Sequence, residues 1–130
     1  PDLMAALFEE DADFINVVGL WGNNRQDIFK AHDYGLKMIF KNSVLSIIKL
    51  KTKMLSQKSA VVHVKMKLEG QTPIAGEKGG TRRTVFTFIV RQDYEGIWWA
   101  VSAQNTDIVR GVETYITTED GSLKPVDYRK

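Results

Sequence analysis

Cysteine is missing from all 130 residues, which excludes disulfides, thiolate metal sites and a cysteine nucleophile. A reducing compartment agrees with that absence, and a cytoplasmic location is the expectation. No run of about 18 apolar residues occurs, so no membrane-spanning helix is expected. A signal-peptide pattern is also missing; Pro1-Asp2-Leu3 reads like the middle of something, with a segment expected before it. The formal net charge of +2 is too small to identify a polyanionic partner. Without an internal repeat, a low-complexity block or a linker, residues 1–130 read as one domain, long enough to bury its own core.

What is present is organised around Trp98-Trp99-Ala100-Val101-Ser102-Ala103-Gln104-Asn105-Thr106-Asp107. Its aromatic, β-branched and small residues, entered through the turn Asp93-Tyr94-Glu95-Gly96, predict a strand near the middle of a sheet. Period two puts Ser102, Gln104 and Thr106 on one face, with Asn105 and Asp107 on the other. Either face therefore brings hydrogen-bonding groups to whatever it meets, as one wall of a pocket would.

Before that strand, Asp2 to Glu10 reads as a short helix burying Leu3, Leu7 and Phe8, with Asp2 as its cap. Phe14-Ile15-Asn16-Val17-Val18 follows as a strand, and Gly19 and Gly22 punctuate a turn around Leu20-Trp21. Asn16, an amide between Phe14 and Val18, is expected to point into a pocket, because dry core penalises an unpaired amide. A longer helix is predicted from about Arg25 to Phe40, capped by Asn23 or Asn24 with Asp27 in its first turn. Its sheet-facing stripe holds Ile28, Ala31, His32, Gly35, Leu36 and Ile39. His32 reads equally as a core histidine satisfied by a carbonyl or carboxylate, or as a pocket residue.

From Val44 the period changes to alternation. Val44, Ser46, Ile48, Leu50, Thr52 and Met54 share one face; Lys49, Lys51 and Lys53 lie on the other with Leu45 and Ile47. After a turn at Gln57-Lys58-Ser59, Val62, Val64, Met66 and Leu68 alternate with Val61, His63, Lys65 and Lys67, the pattern of a sheet wet on one side. A polar loop spans Gly70 to Gly80, and Thr84 to Arg91 forms the next strand. Residues 110–130 are a C-terminal extension, with a hairpin expected around Glu119-Asp120-Gly121 and a loose end from Pro125.

Leu7-Phe8-Glu9-Glu10-Asp11-Ala12-Asp13-Phe14, then Gly19, Trp21-Gly22, Ile28 and His32, and finally Trp98 and Asn105-Thr106-Asp107, resemble the nuclear-transport-factor-2-like superfamily. Within it, the sequence is most similar to the SnoaL-like and SgcJ/EcaC-type small bacterial proteins. The resemblance implies an α+β cone-shaped roll: a strongly curved, mainly antiparallel mixed sheet of about five or six strands on two or three helices, around an internal pocket. It also implies a homodimer formed through the outer face of the sheet. The superfamily hosts isomerases, cyclases, hydrolases, dehydratases and plain binding modules, so it does not fix an activity.

In the ketosteroid isomerases of this superfamily, the position of the general-base aspartate matches Asn16, an amide that accepts no proton at neutral pH. Their protonated aspartate would fall near Thr87. No Asp-Arg-Asp trio suited to limonene-type epoxide hydrolysis is assignable, and Gly76-Glu77-Lys78-Gly79-Gly80 lacks the strand and helix of a dinucleotide fingerprint. The residues assigned to a ligand site are therefore Phe14, Asn16, Trp21, His32, Gln104 and Asn105, with Asp13 and Asp107 orienting. His32 would be the catalytic base of any acid–base reaction, such as proton abstraction beside a carbonyl. Neither cofactor nor metal is expected, since the two histidines fall on different elements. The expected partner is a small apolar or carbonyl-containing ligand, bound with or without turnover. A basic sheet face built on the lysines reads as a solvated surface or a dimer interface in preference to a nucleic-acid site, because apolar residues and His63 accompany the lysines where stacking aromatics would be needed.

Overall fold

The structure, a computed structural model, describes residues 7–30, 44–69 and 81–127. In chain order the strands are β1 (Phe8–Ile15), β2 (Trp21–Gly22), β3 (Val44–Ser56), β4 (Ser59–Glu69), β5 (Arg82–Gln92), β6 (Trp98–Asp107), β7 (Thr114–Thr117) and β8 (Leu123–Val126). A helix, α1, occupies residues 25–30. Six strands make one mixed sheet in the order β2-β1-β6-β5-β4-β3, and β7 and β8 form a separate hairpin. β6 thus lies inside the sheet, antiparallel to β5 and parallel to β1.

The alternating segments form the long antiparallel strands, as their period requires. Phe88 faces Ala103 across β5 and β6, and Ala103 faces Phe14 on β1. That row defines the core face. Phe8, Ala12, Phe14, Ile28, Ala100 and Ala103 are its buried cluster. The three alanines leave room for α1, whose Ile28 is only 2% exposed.

Two expectations about helices are corrected. Residues 8–10 belong to β1 and are not helical, and Leu7, assigned to a buried stripe, is exposed. Parallel pairing with β6 buries Phe8 and Phe14, and a shift in register between Phe8 and Asp13 disguises the alternation. Among the described residues α1 is one short helix, where two or three helices were expected. Its start agrees with the sequence. The Asp27 amide donates to Asn24 Oδ1 at 2.8 Å, and Asn24 Nδ2 donates to Asp27 Oδ2 at 3.2 Å, a reciprocal cap of the first turn. Arg25 Nε ties this turn to β1 through the Phe8 carbonyl at 2.8 Å. The rest of the predicted helix, His32 included, and the Gly70–Gly80 loop lie outside the described residues.

β3 carries a bulge that the alternation did not anticipate. Ile47 pairs with Met66, yet Lys49 pairs with Lys65, so Ile48 is the extra residue. Leu45 and Ile47 consequently share a face with Leu50, Thr52 and Met54, while Lys49, Lys51 and Lys53 stay together on the opposite, outer face. The terminal hairpin is present, but Pro125 is not loose: it lies within β8, opposite Tyr115. At its turn Gly121 adopts φ +86°, and the Thr118 hydroxyl and Ser122 amide bonded to Asp120 lower that carboxyl to about 2.

Candidate functional site

The pairing of β5 with β6 separates the polar end of β6 into two faces. Thr84, Phe86 and Phe88 stand opposite Asp107, Asn105 and Ala103 on the core face; Val85, Thr87 and Ile89 stand opposite Thr106, Gln104 and Ser102 on the outer face. β1 pairs with β6 only as far as Ile15 beside Gln104. Beyond that point, no described strand flanks Asn105 to Asp107 on the β1 side.

On the core face four aromatic rings form a continuous surface. Phe86 and Phe88 stack with centroids 5.5 Å apart, Phe14 lies 6.2 Å from Phe86, and Phe8 lies 6.1 Å from Phe14 and 6.4 Å from Phe88. Asn105 is the register partner of Phe86, at the open end of this surface. Its side-chain oxygen Oδ1 is buried and accepts no hydrogen bond among the described residues. A shielded acceptor without a donor typically costs about 1–3 kcal/mol, so such atoms are seldom left in place without a use.

Neighbouring polar side chains on the core face are engaged. Arg82 grips Asp107 through Nε to Oδ1 at 2.7 Å and Nη2 to Oδ2 at 3.2 Å. Buried Thr84 donates its hydroxyl to the Thr106 carbonyl at 2.8 Å. This surround fixes β6 in register and leaves the Asn105 oxygen as the acceptor that a ligand could use. No group of three or more histidine, aspartate or glutamate side chains arranged to hold a metal occurs among the described residues.

Of the residues assigned from sequence, Phe14, Asn105 and Asp107 come together on the core face. Asn16 does not join them. Its Oδ1 accepts from the Val18 amide at 3.0 Å and the Leu20 amide at 2.9 Å, so the side chain closes the turn between β1 and β2, which Gly19 completes at φ +85°. Asp13, Trp21 and Gln104 belong to the outer face by register. There Trp21 is largely exposed and donates Nε1 to Asp13 Oδ1 at 2.8 Å, which makes this pair a clip between β2 and β1. Thr87, the position near which the isomerases carry an acidic group, also faces outward, with its hydroxyl 3.0 Å from His63 Nδ1. Phe86, Phe88, Arg82 and Thr84 were not assigned to the site from sequence. The alternation of Phe86 and Phe88 with Thr87 carried the signal for the two aromatics.

The outer face holds a groove of about 410 Å³ lined by Val85, Thr87, Ile89, Ser102, Gln104 and Thr106, floored by Ala103 and Asn105. It is separated from the aromatic surface by the thickness of the sheet.

No family model and no curated protein matches the chain by sequence. Solved structures do match. An uncharacterised protein with a cystatin-like fold from Caulobacter vibrioides is 24% identical, over 85% of this chain and 77% of its own, with a TM-score of 0.75. A nuclear-transport-factor-2-like protein of unknown function from Pseudomonas aeruginosa is 14% identical over 83% and 79%, with a TM-score of 0.66. A ketosteroid isomerase-like protein from Erwinia carotovora atroseptica is 12% identical over 83% and 81%, with a TM-score of 0.68. At these identities the likeness is one of fold.

Proposed function

We propose that this chain, which has the nuclear-transport-factor-2-like fold, is a small-molecule-binding domain whose ligand lies on the aromatic core face and donates a hydrogen bond to Asn105. The observation that carries this reading is the buried Asn105 Oδ1, without a hydrogen-bond partner among the described residues, at the end of the four-ring surface. The half-buried rings of Phe86 and Phe88, backed by the buried Phe8 and Phe14, take the apolar body of the ligand, and the amide selects for an N–H or O–H group at one position. An apolar surface with a single oriented acceptor discriminates mainly against ligands that lack the donor, because they leave the acceptor unpaired.

Binding without turnover is the reading supported by the neighbouring groups. Asp107, the carboxylate beside Asn105, has both of its oxygens engaged by Arg82. Asn16, in the position of the isomerase base, is committed to its turn.

A matched pair of naphthalenes tests the proposal by calorimetry. The account predicts that 2-naphthol, which carries a hydroxyl donor, binds about tenfold or more tightly than 2-methoxynaphthalene, which has none. Equal affinities would remove Asn105 from recognition.

A further inference from the structure

The polar end of β6 offers its main chain as well as its side chains. The Ile108 amide donates to the Arg83 carbonyl at 2.9 Å, one step beyond the register pair of Thr84 and Asp107. That bond sets the phase of the antiparallel ladder. Thr106 and Gln104 turn their amides and carbonyls toward β5, so Asn105 and Asp107 turn theirs the other way, toward β1. β1 reaches only to Ile15, whose parallel pairing beside Gln104 uses the Ala103 carbonyl and the Asn105 amide.

Past Ile15 the chain leaves β6. The Asn16 amide donates to the Leu20 carbonyl and the Gly19 amide donates to the Asn16 carbonyl, both at 3.0 Å, which folds the backbone back toward β2. The Asn105 carbonyl and the Asp107 amide therefore meet no partner among the described residues. Main-chain groups at the end of a strand are ordinarily left to water. This rung differs in its surroundings. Asn105 also holds its buried Oδ1 without a partner among the described residues, and its register partner Phe86 belongs to the aromatic surface. Arg82 grips Asp107, so the rung is fixed before a ligand arrives.

The rung is short, because the next amide, that of Ile108, has already turned to β5. It suits a small molecule in preference to a protein strand. In parallel pairing, an N–H and a C=O joined through one carbon span such a rung, the N–H on the Asn105 carbonyl and the C=O on the Asp107 amide. The joining carbon lies level with Thr106, an outer-face position, so a substituent on it would point away from the aromatic surface. The group preceding the N–H lies level with Asn105 and reaches the core face. We propose that the ligand of the aromatic face is an N-acylglycine-type amide, its NH–CH2–C=O unit paired with the main chain of Asn105 and Asp107 and its acyl body on Phe86 and Phe88. The inference rests on the ligand site proposed above, and the donor taken by Asn105 Oδ1 belongs to the acyl body.

The test uses the whole chain, labelled with nitrogen-15, and two probes: N-(2-naphthylacetyl)glycine methylamide and the ester analogue in which oxygen replaces the glycine N–H. In the free protein the Thr106 amide should exchange slowly with solvent and the Asp107 amide fast. The amide probe should protect the Asp107 amide, shift the signals of Phe86 and Phe88, and bind about tenfold more tightly than the ester. Equal binding of amide and ester would overturn the inference. So would an Asp107 amide already protected in the free protein, or an amide preference that leaves Asp107 exchanging as before. The 2-naphthol pair separates this inference from the reading beneath it. If 2-naphthol and 2-methoxynaphthalene bind equally while the amide still outbinds the ester, the side-chain acceptor is lost and the main-chain pairing stands. The reverse result keeps the acceptor and overturns the pairing.

Discussion

Arg82 and Asp107 meet in a two-pronged hydrogen-bonded ion pair across the start of β5 and the end of β6, with Nε 2.7 Å from Oδ1 and Nη2 3.2 Å from Oδ2. Both side chains are about one-third exposed, so solvent screens the pair and its contribution to stability is modest, about 1 kcal/mol or less. Its main role is positional. It holds the end of β6 so that Asn105 stays in register with Phe86. Arg82→Met should lower stability by that small amount in urea unfolding. It should weaken 2-naphthol binding by a larger factor, because the acceptor is no longer held in place.

Asn16 makes the opposite prediction. Asn16→Ala removes the acceptor of the Val18 and Leu20 amides and should cost about 1 kcal/mol of stability. Affinity for 2-naphthol should be unchanged. Asn16→Asp keeps the accepting oxygen and should recover most of the loss, measured by the same denaturant titration.

The contrast between these residues shows how far the sequence could be read. Asn105 and Asp107 were placed on one face and Gln104 on the other by period two alone, and the β5–β6 register agrees. Asn16 was assigned to the pocket by the same rule, but β1 ends at Ile15 and local backbone amides take the side chain. The Asn-Val-Val-Gly string carried that signal, since asparagine three residues before a glycine suits a side-chain-closed turn. β1 itself was obscured because Leu3, Leu7 and Phe8 stand at a helix-compatible spacing and its register shift between Phe8 and Asp13 interrupts regular pairing. The bulge at Ile48 was equally hidden, because one extra residue changes the facing of Leu45 and Ile47 without changing composition. Arg82 could not be matched with Asp107 before the β5–β6 register, with its shift between Ile89 and Val90, was known.

Acid stability should reveal Asp93. Its carboxyl lies below the ordinary value of 3.8, chiefly because Trp99 Nε1 donates to it at 2.8 Å, and also because the Ile97, Glu95 and Gly96 amides favour the charged form. A carboxyl lowered in the folded state adds stability that is complete above the unfolded value and is lost as pH falls through the folded value. Trp99→Phe removes the first donor, so the folded value should rise toward 3.8. The pH-dependent part of the stability difference between wild type and variant should be full at neutral pH and close below about pH 4. The carboxyl carbon shift of Asp93 in an NMR pH titration reads the change directly.

Ile28 tests how α1 is held to the sheet. It is 2% exposed and belongs to the same cluster as Ala100 and Ala103. Ile28→Ala should cost about 2–5 kcal/mol in urea unfolding, with the size set by how far the neighbouring residues relax into the space. Ile28→Val should cost about 0.5–1.5 kcal/mol.

The most direct measurement compares Asn105→Leu with wild type in two readouts, the urea midpoint of the free protein and the affinity for 2-naphthol. If Asn105 Oδ1 is an acceptor held unpaired for a ligand, an apolar side chain of similar size should stabilise the free protein by about 1 kcal/mol or more while binding weakens about tenfold. A variant that is less stable than wild type and binds 2-naphthol as well would show that the amide is a satisfied structural group, and would contradict the account.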